Sequence, residues 1–497
     1  MDLKIDFIRE SNLEFNDGFL HTDKKTGLAE YGPFGRTDPA LHRAQISVGI
    51  VGTRATTDLG RQWLEECGRP IETDRTRTRT IDTSDMDDVD AEIVSMEALA
   101  KDLSPDFIGV NMDTSFATNL VTSDRWSSQF TDRDVKDICG RSHAIERVER
   151  ATDLIAEHIE HIATSAPHPD VILVAMPDAL CKKAAAAPLE DGTNLDLRRG
   201  LKARAMKWGV PIQLVRESTL LAKGQGLQDK ATRAWNFAIA LYFKAGGVPW
   251  RSHGLDKDTC YVGVSFFRAE DKTGRQILRS GVAQAFDYLG QGVVLRGQPF
   301  EWDSRDHGKV PHLPTEEARD LIVRTLDAYK RYSRRPPSRV VVHKSSRYWG
   351  SEHPSFNEQQ GFVEGVGSVN ASAQVDLVTL QPSPFRLARV GNYPPLRGTI
   401  ALLGDERVVI YTHGFTPFFD TYPGVHVPMP WAILEHHGDS GARELATEVL
   451  ALTKMNVNNA AFADSSPITL AFSRKVSEVL RQVGPEMTVR SEYSFYI

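Results

Sequence analysis

The sequence predicts an α/β protein in which a β-rich N-terminal segment precedes a parallel, Rossmann-like layer, and a mixed sheet flanked by helices follows it. Two observations predict this fold class: short β-branched strands alternate with amphipathic helices, and no repeat of 20–50 residues is present. Apolar residues make up 41% and charged residues 25% of the 497 positions, which excludes disordered, fibrous and disulfide-stapled chains. About 150 residues per domain predicts roughly three domains.

The N-terminal segment is assigned to residues 1–104 and is expected to pack on the last unit. It contains the buried-strand run Gln45–Gly52. A basic run, Arg75–Thr80, and an acidic run, Asp82–Glu92, follow this strand. Such charge runs are usually solvated, and we interpret them as a surface segment rather than a binding tail.

The parallel layer is assigned to residues 105–247. Apolar residues recur every three or four positions from Ile145 to Ile162, which predicts one long helix. Strand–helix–strand order then predicts parallel pairing. The further predicted elements are a strand at Val171–Pro177, a helix over about 195–208 with Asn194 as N-cap, a strand at Pro211–Val215 and a helix over 229–244.

The last unit is assigned to residues 248–497. The predicted elements are strands at Cys260–Phe267 and within Thr399–Thr412, and helices over 315–333, 440–454 and 467–483. This order predicts a mixed sheet flanked by helices.

Charge, cysteine content and hydropathy limit the cellular compartments and partners that the sequence allows. The net charge of −7 excludes a uniformly basic nucleic-acid coat but not a locally basic groove. The four cysteines form no C-x-x-C pair, which fits a reducing compartment. The longest apolar run, Phe237–Phe243, is far shorter than the ~18 residues of a membrane span, and no secretory signal is present. We therefore expect a cytoplasmic protein without a membrane partner.

Basic residues concentrate in the parallel layer. Arg198 and Lys202 are spaced i, i+4 and share one helix face, close to the positive end of that helix. Gln213 follows on the next strand, and Lys244 ends the next helix. Each cation alone is most simply a solvated surface charge, but the set is spaced to converge on one phosphate.

These residues carry a family resemblance. The run R-x-x-x-K with G-V-P-I-Q and K-A-G-G-V-P-W resembles the MID domain of Argonaute proteins, and CYVGVSFFR, PSRVVVHKSSRY and LTKMNVNNAAFADSSPIT resemble the PIWI domain, an RNase H-like fold. No segment reads as a PAZ domain, so the chain resembles a short prokaryotic Argonaute. The resemblance implies that Arg198, Lys202, Gln213 and Lys244 bind the 5′-phosphate of a guide strand, although Arg198 replaces the more usual Tyr or His.

The same resemblance implies a role for the C-terminus. The terminal carboxylate, here that of Ile497, is expected to enter the phosphate pocket and to bind Mg²⁺ together with Gln213. Tyr493, Phe495 and Tyr496 are expected to anchor the tail rather than leave it frayed.

The residues that hold metal in an active PIWI domain are missing from this sequence. Ser265 and Ser345 occupy the positions of the two aspartates, and Leu470–Lys475 contains neither Asp nor His. A neutral hydroxyl cannot replace a carboxylate in a two-metal site, so we expect a catalytically inactive domain. Other nearby acids are interpreted as ordinary loop and cap residues: Asp258, Asp287, Glu301 and Asp303.

Two further readings concern possible chemistry in this last unit. His436 and His437 are taken as adjacent residues on a helix, which point about 100° apart and seldom bind one metal ion. Ser265 and Ser345 lack the His–Asp partners of a serine nucleophile.

The resemblance also implies partners. It suggests an RNA guide, a single-stranded DNA target and a protein with an APAZ-like region joined to a TIR, sirtuin-like or nuclease effector, acting in defence against plasmids or phage. Two alternatives stay open: an active nuclease with displaced metal ligands, and a plain α/β nucleotide-binding protein. The absence of G-x-G-x-x-G and Walker motifs counts against the second alternative.

Overall fold

A computed structural model describes most of the chain. The described residues are 3–74, 104–190, 193–223, 227–270, 276–287, 289–290, 292–300, 302, 304–391, 394–404, 407–422, 427–483 and 489–497. The basic and acidic runs of 75–92 lie outside these residues, as do Glu301 and Asp303.

The first sheet is fully parallel, as the strand–helix alternation predicts. Its strands are β4 (Gln45–Gly52), β5 (Asn119–Gln129), β6 (Val171–Met176) and β9 (Ile212–Arg216), in the order β5-β4-β6-β9. Each neighbouring pair is parallel. The main helices around this sheet are α2 (Arg54–Cys67), α3 (Asp132–Gly140), α4 (Ala144–Ala163), α6 (Leu197–Ala205) and α8 (Lys230–Lys244).

The position of β4 corrects the predicted domain boundary. Residues 1–104 were assigned to an N-terminal segment, yet Gln45–Gly52 lies between β5 and β6. Seven of its eight residues are buried, because a central parallel strand is covered on both faces. The parallel-sheet unit therefore includes Gln45–Gly52 and the helix Arg54–Cys67.

The helix that carries the predicted cations is shorter than expected. It spans Leu197–Ala205, and its N-cap is Asp196 rather than Asn194, because the Asp196 carboxylate accepts a hydrogen bond from the Arg199 backbone N–H at 2.8 Å. The chain then turns at Gly209, whose φ of 73° suits glycine, and enters β9.

In the described part of the chain, the second sheet has ten strands. The path is β1-β17-β18-β19-β16-β15-β11-β12-β13, and β14 pairs with β12. The centre is parallel, since β15 pairs in parallel with both β11 and β16. The strands are β1 (Leu3–Phe7), β11 (Thr259–Glu270), β12 (Gln276–Phe286), β13 (Gly292–Leu295), β14 (Pro299–Phe300), β15 (Arg339–Lys344), β16 (Gln374–Pro382), β17 (Thr399–Leu403), β18 (Arg407–Ile410) and β19 (Trp431–His437).

Helices cover both faces of this sheet. On one face, Val262 and Val340 pack in a cluster with Leu321 and Phe362 from α10 (Thr315–Ser333) and α11 (Glu358–Val369). On the other face lie α12 (Ala442–Leu452) and α13 (Ile468–Arg481). The N-terminal segment reaches this sheet through β1, which pairs antiparallel with β17.

The remaining short elements lie outside the two sheets. They are β2 (Leu13–Glu14), β3 (Leu20–His21), α1 (Lys24–Tyr31), α5 (Asp178–Lys183), β7 (Ala186–Pro188), β8 (Asn194–Asp196), α7 (Glu217–Leu220), β10 (Arg251–Ser252) and α9 (Ser304–His307). Among the described residues, none of the helices is long and apolar enough to cross a membrane.

Candidate functional site

Gln213 and Lys244 lie in direct contact. Gln213 is on β9, and Lys244 is the last residue of α8, which packs beside it. The Lys244 Nζ donates to the Gln213 Oε1 at 2.6 Å and to the Ile212 carbonyl oxygen at 2.9 Å. Lys244 is only 5% exposed, so its charge is held inside the protein rather than in bulk water.

Lys202 connects the cationic helix to the C-terminal tail. It lies on α6, and its Nζ donates to the main-chain oxygen of Tyr496 at 3.2 Å. Ile497 is the next residue, so the chain end lies within one residue of Lys202. The structure therefore brings together parts of the chain that are separated by 294 positions.

The C-terminal tail is firmly packed. Tyr493, Phe495, Tyr496 and Ile497 are all buried. The Tyr493 ring makes edge contacts with Phe472 at 4.8 Å and with Phe243 at 5.7 Å between ring centroids. These contacts hold the last residues in place and leave no frayed end.

Electrostatics links the members of this cluster. The pKa of Lys202 is lowered to about 7, chiefly by burial and then by the positive charges of Arg198 and Lys475. The pKa of Lys244 is lowered well below its usual value by burial and by the charges of Lys202 and Arg198. Each cation therefore raises the free energy of its neighbours, and an anion placed among them would relieve that repulsion.

Arg198 lies at the exposed side of the cluster. Among the described residues no hydrogen bond or ion pair holds its guanidinium, whereas its neighbour Arg199 is bonded to Glu478 at 2.6 Å. The positive charge of Arg198 lowers the pKa of both Lys202 and Lys244, so its guanidinium lies close enough to interact with both side chains.

Lys475 is a member of the cluster that the sequence analysis missed. It lies on α13, a helix of the second sheet, and its charge contributes to the lowered pKa of Lys202. No local pattern distinguishes Lys475 from Arg474 or Arg481 on the same helix. The tertiary packing of α13 against α6 alone brings it to the site.

Ser265, at the first predicted metal-ligand position, is tied to a neighbouring helix. On β11, its Oγ donates to the Ser473 carbonyl oxygen at 2.9 Å and lies 2.8 Å from the Ser477 Oγ. A carboxylate has no proton to donate to the Ser473 oxygen, so the surroundings of this position suit a hydroxyl.

Ser345, at the second predicted position, directly follows β15 and is exposed. Its carbonyl oxygen accepts a hydrogen bond from the Gln381 Nε2 at 2.5 Å. One serine therefore lies inside β11 and the other just beyond β15.

The other acids do not assemble into a cluster in the described part of the chain. Asp258 precedes β11 and pairs with Arg335, while Asp287 follows β12 and accepts from the Leu289 N–H at 2.9 Å. Within the described ranges, no group of three or more His, Cys, Asp or Glu side chains is placed to hold a metal ion.

The two adjacent histidines lie on a strand, not on a helix as expected. They end β19, where successive side chains point to opposite faces of the sheet. The His436 Nε2 lies 2.7 Å from an Asp376 carboxylate oxygen, and the His437 Nε2 lies 2.9 Å from a Glu435 carboxylate oxygen. Each histidine has its own acidic partner, so the pair is structural.

Comparison with solved structures finds proteins with a similar architecture. Clostridium butyricum Argonaute bound to a guide DNA and a 19-mer target DNA superposes with a TM-score of 0.63 and 14% identity, covering 100% of this chain and 55% of that one. The chain has an Argonaute fold. Aa-Ago with externally bound siRNA gives a TM-score of 0.56 at 15% identity, with 99% of this chain and 56% of that one covered. Aquifex aeolicus Argonaute gives 0.52 at 13% identity, with 100% and 57% covered.

The chain shares its fold with these Argonaute structures, but its sequence is only 13–15% identical to theirs. The chain spans little more than half the length of the Argonaute structures it matches. No protein-family model and no curated protein matches the sequence. The architecture nevertheless agrees with the predicted order of a Rossmann-like MID domain followed by an RNase H-like PIWI domain.

Proposed function

We propose that this chain is a guide-dependent nucleic-acid sensor that anchors a 5′-phosphorylated RNA guide and pairs it with single-stranded DNA. The observation that carries the proposal is the cluster of Lys202, Gln213 and Lys244 around the buried C-terminal tail. A terminal phosphate is the one part of a guide whose charge matches two desolvated lysines and an amide. The helix dipole adds nothing here, because Lys202 lies in the last turn of its helix and Asp196 caps the other end. Base pairing would supply the sequence specificity, as it does in other guided systems.

Arg198, Lys202, Gln213 and Lys244 would each contribute a different contact. The two lysines supply charge-assisted hydrogen bonds, and the exposed Arg198 closes over the phosphate from the solvent side. The Gln213 Oε1 accepts a hydrogen bond from Lys244, which leaves the Gln213 amide nitrogen as the donor to the phosphate. The shared phosphate would raise the pKa of both lysines, so binding stabilises their charged forms.

We propose that Mg²⁺ would bind next to this phosphate through the Ile497 carboxylate, with the Gln213 Oε1 as a second ligand once it releases the hydrogen bond that it accepts from the Lys244 Nζ at 2.6 Å. The Ile497 carboxylate and the Gln213 amide oxygen are hard ligands, and Mg²⁺ usually takes one or two such groups with phosphate oxygens and water. A bound Mg²⁺ would neutralise the repulsion between the terminal carboxylate and the phosphate. The burial of Tyr496 and Ile497 fixes the end of the chain, and Lys202 contacts it through the Tyr496 main-chain oxygen.

The proposal includes binding without cleavage. Ser265 and Ser345 occupy the positions where the resemblance expects aspartates, and Ser265 is held by Ser473. The output would come from a partner with an APAZ-like region and a TIR, sirtuin-like or nuclease effector, switched on by target binding. Clostridium butyricum Argonaute was solved with a guide DNA and a target DNA, which supports paired-strand binding by this fold.

The direct experiment compares guides that differ only at the 5′ end. The dissociation constants of 5′-phosphate and 5′-hydroxyl RNA of one sequence are measured side by side, each over a range of salt concentrations. We expect a strong preference for the phosphate and a decrease in log affinity with log salt of about 0.7 per neutralised phosphate. Equal affinity for the two guides would refute the pocket.

The second candidate function is a nuclease with displaced ligands, which the sequence leaves open. Asp287 does not favour it, because this acid follows Phe286, the partner of Tyr261, at the end of β12 that is away from Ser265. Guide-loaded protein is incubated with labelled target and Mg²⁺ or Mn²⁺. We expect intact target. Cleavage that disappears in Asp287→Asn or Glu301→Gln would favour this alternative over the sensor.

The proposed effector partner is sought first in the reading frames next to the gene of this chain. An adjacent reading frame that encodes an APAZ-like region with a TIR, sirtuin-like or nuclease domain would name the partner. Co-purification of the two proteins, followed by an assay for NAD loss or DNA degradation with and without guide and target, measures activation. An effector equally active without target would contradict a sensor role.

A further inference from the structure

A cavity of about 870 Å³ lies beside the C-terminal tail. The tail residues Ser491–Ser494 form one wall, and the end of α8 with Gly246 and Gly247 forms another. The remaining walls come from Ala40–Arg43 of the N-terminal segment and from the end of α10. Cavities where separate units of a chain meet are common ligand sites, and this volume suits a drug-sized molecule.

The cavity lies at the edge of the second sheet that is opposite the two serines. Lys257 and Asp287 line it, and Lys257 precedes the first residue of β11. Arg335, which also lines it, precedes the first residue of β15. Ser345 follows the last residue of β15, so the cavity and Ser345 are at opposite ends of the parallel strands.

Five basic side chains line this cavity in a chain whose net charge is −7. They are Arg43, Lys257, Arg331, Arg334 and Arg335. Arg331 on the last turn of α10 is explained by the helix dipole, which favours cations at the carboxyl end. The helix dipole does not explain Lys257 and Arg43, which line the same cavity but lie on two other segments.

Several of these cations lack an acidic partner. Arg335 pairs with Asp258, and the Arg43 Nε donates to the Ala245 carbonyl oxygen at 2.7 Å. In the described part of the chain, Lys257 and Arg334 form no ion pair. Arg334 also adopts a left-handed conformation, with φ of 63°, at a position where glycine is usual.

The rest of the lining combines apolar residues with two acids, three serines and two tyrosines. Leu41, Val293 and Leu295 supply an apolar surface, and Asp287 and Glu492 also line the cavity. A phosphate chain suits the cations, a flat base suits the apolar surface, and ribose hydroxyls suit carboxylate acceptors. We infer that this cavity binds a nucleotide with two or more phosphates, at a site separate from the guide pocket.

The test is equilibrium binding of a fluorescent ATP analogue to the full chain, with AMP and adenosine as competitors. We expect saturable binding that ATP displaces far better than AMP or adenosine. The variant Arg331→Gln with Arg334→Gln should weaken the affinity at least about tenfold, the effect of losing one charge-assisted hydrogen bond. Lys330→Gln is the matched control, since Lys330 is exposed on the same helix end but does not line the cavity.

Three results would overturn the inference. The first is no saturable binding up to about 1 mM analogue by protein that unfolds cooperatively. The second is equal displacement by adenosine, which would show that phosphates contribute nothing. The third is loss of binding in Lys202→Ala or displacement by a 5′-phosphorylated guide, which would place the nucleotide in the guide pocket. This inference does not depend on the proposed sensor function, since a nucleotide can bind here whether or not a guide is held.

Discussion

The Lys202 Nζ donates a hydrogen bond to the main-chain oxygen of Tyr496, and this contact joins the first sheet unit to the end of the chain. The amino group therefore has two tasks in the proposed complex: it holds the tail, and it faces the phosphate. Because the tail is buried by Tyr493, Phe495 and Tyr496, the position of Lys202 is set before any guide arrives.

Replacing Lys202 with alanine should weaken binding of a 5′-phosphorylated guide about 10- to 150-fold, because one charge-assisted hydrogen bond contributes roughly 1.5–3 kcal/mol. Lys207→Ala is the control, since Lys207 follows the same helix but is exposed and pairs with Glu160 at 3.4 Å. Fluorescence anisotropy with labelled guides measures both. Equal losses in the two variants would point to general electrostatics instead of a phosphate contact.

Replacing Lys244 with methionine removes a buried charge and keeps most of the side-chain volume. Phosphate preference should fall about 10- to 150-fold for the same energetic reason as at Lys202. Two effects on folding stability oppose each other: the variant no longer buries a charge whose pKa the fold lowers, but the Gln213 Oε1 and the Ile212 carbonyl oxygen lose their donor, so the net change should be within about 3 kcal/mol. Thermal unfolding and guide binding are measured together; a variant that unfolds early while keeping phosphate preference contradicts the assignment.

Guide affinity should fall as the pH rises above 7. The pKa of Lys202 is lowered to about 7 in the free protein, so below that value the lysine is already charged. Above it, binding must take up a proton, and affinity falls by up to tenfold per pH unit until the pKa of the bound state is reached. Titrations from pH 7 to 9 avoid the phosphate group's own pKa of about 6. Lys202→Met should flatten this slope; an unchanged slope assigns the proton to another group.

Restoring an acid in Ser265→Asp should destabilise the protein and not create a nuclease. The variant loses the hydrogen bond to Ser473 and sets a carboxylate beside a carbonyl oxygen, which costs roughly 1–3 kcal/mol. Ser265→Ala, which loses the bond without adding charge, is the matched control and should cost less. Urea unfolding compares the two, and a Ser265→Asp protein of wild-type stability would show that this site accepts a carboxylate.

Tyr493 offers a sharp pair of variants for the tail. Its ring packs on Phe472 and Phe243, while its buried hydroxyl has no hydrogen-bond partner among the described residues. Tyr493→Phe should therefore leave unfolding and guide binding unchanged, whereas Tyr493→Ala should cost about 3–5 kcal/mol of stability. A large loss in Tyr493→Phe would show that the hydroxyl matters more than the ring.

The periodicity of the sequence was sufficient to locate most helices and strands. The helix Ala144–Ala163 follows from apolar residues at every third or fourth position, and Thr315–Ser333 has the predicted bounds. The N-cap of Leu197–Ala205 was misplaced by two residues, because Asn194 and Asp196 are both good caps and only the backbone geometry chooses between them. The strand Gln45–Gly52 was recognised but assigned to the wrong unit, since a run of buried residues does not indicate which strands pair with it.

By itself the sequence determined the alternation of strands and helices, and the presence of Arg198, Lys202, Gln213 and Lys244 at spacings that resemble one family. The tertiary structure decided which groups meet: Lys475 reaches Lys202 from another unit, Tyr496 lies against Lys202, and the cavity beside Ser491–Ser494 gathers cations from three segments. The reason is physical, because periodicity records only which face of an element is buried. Which element lies against that face depends on the packing of the whole chain.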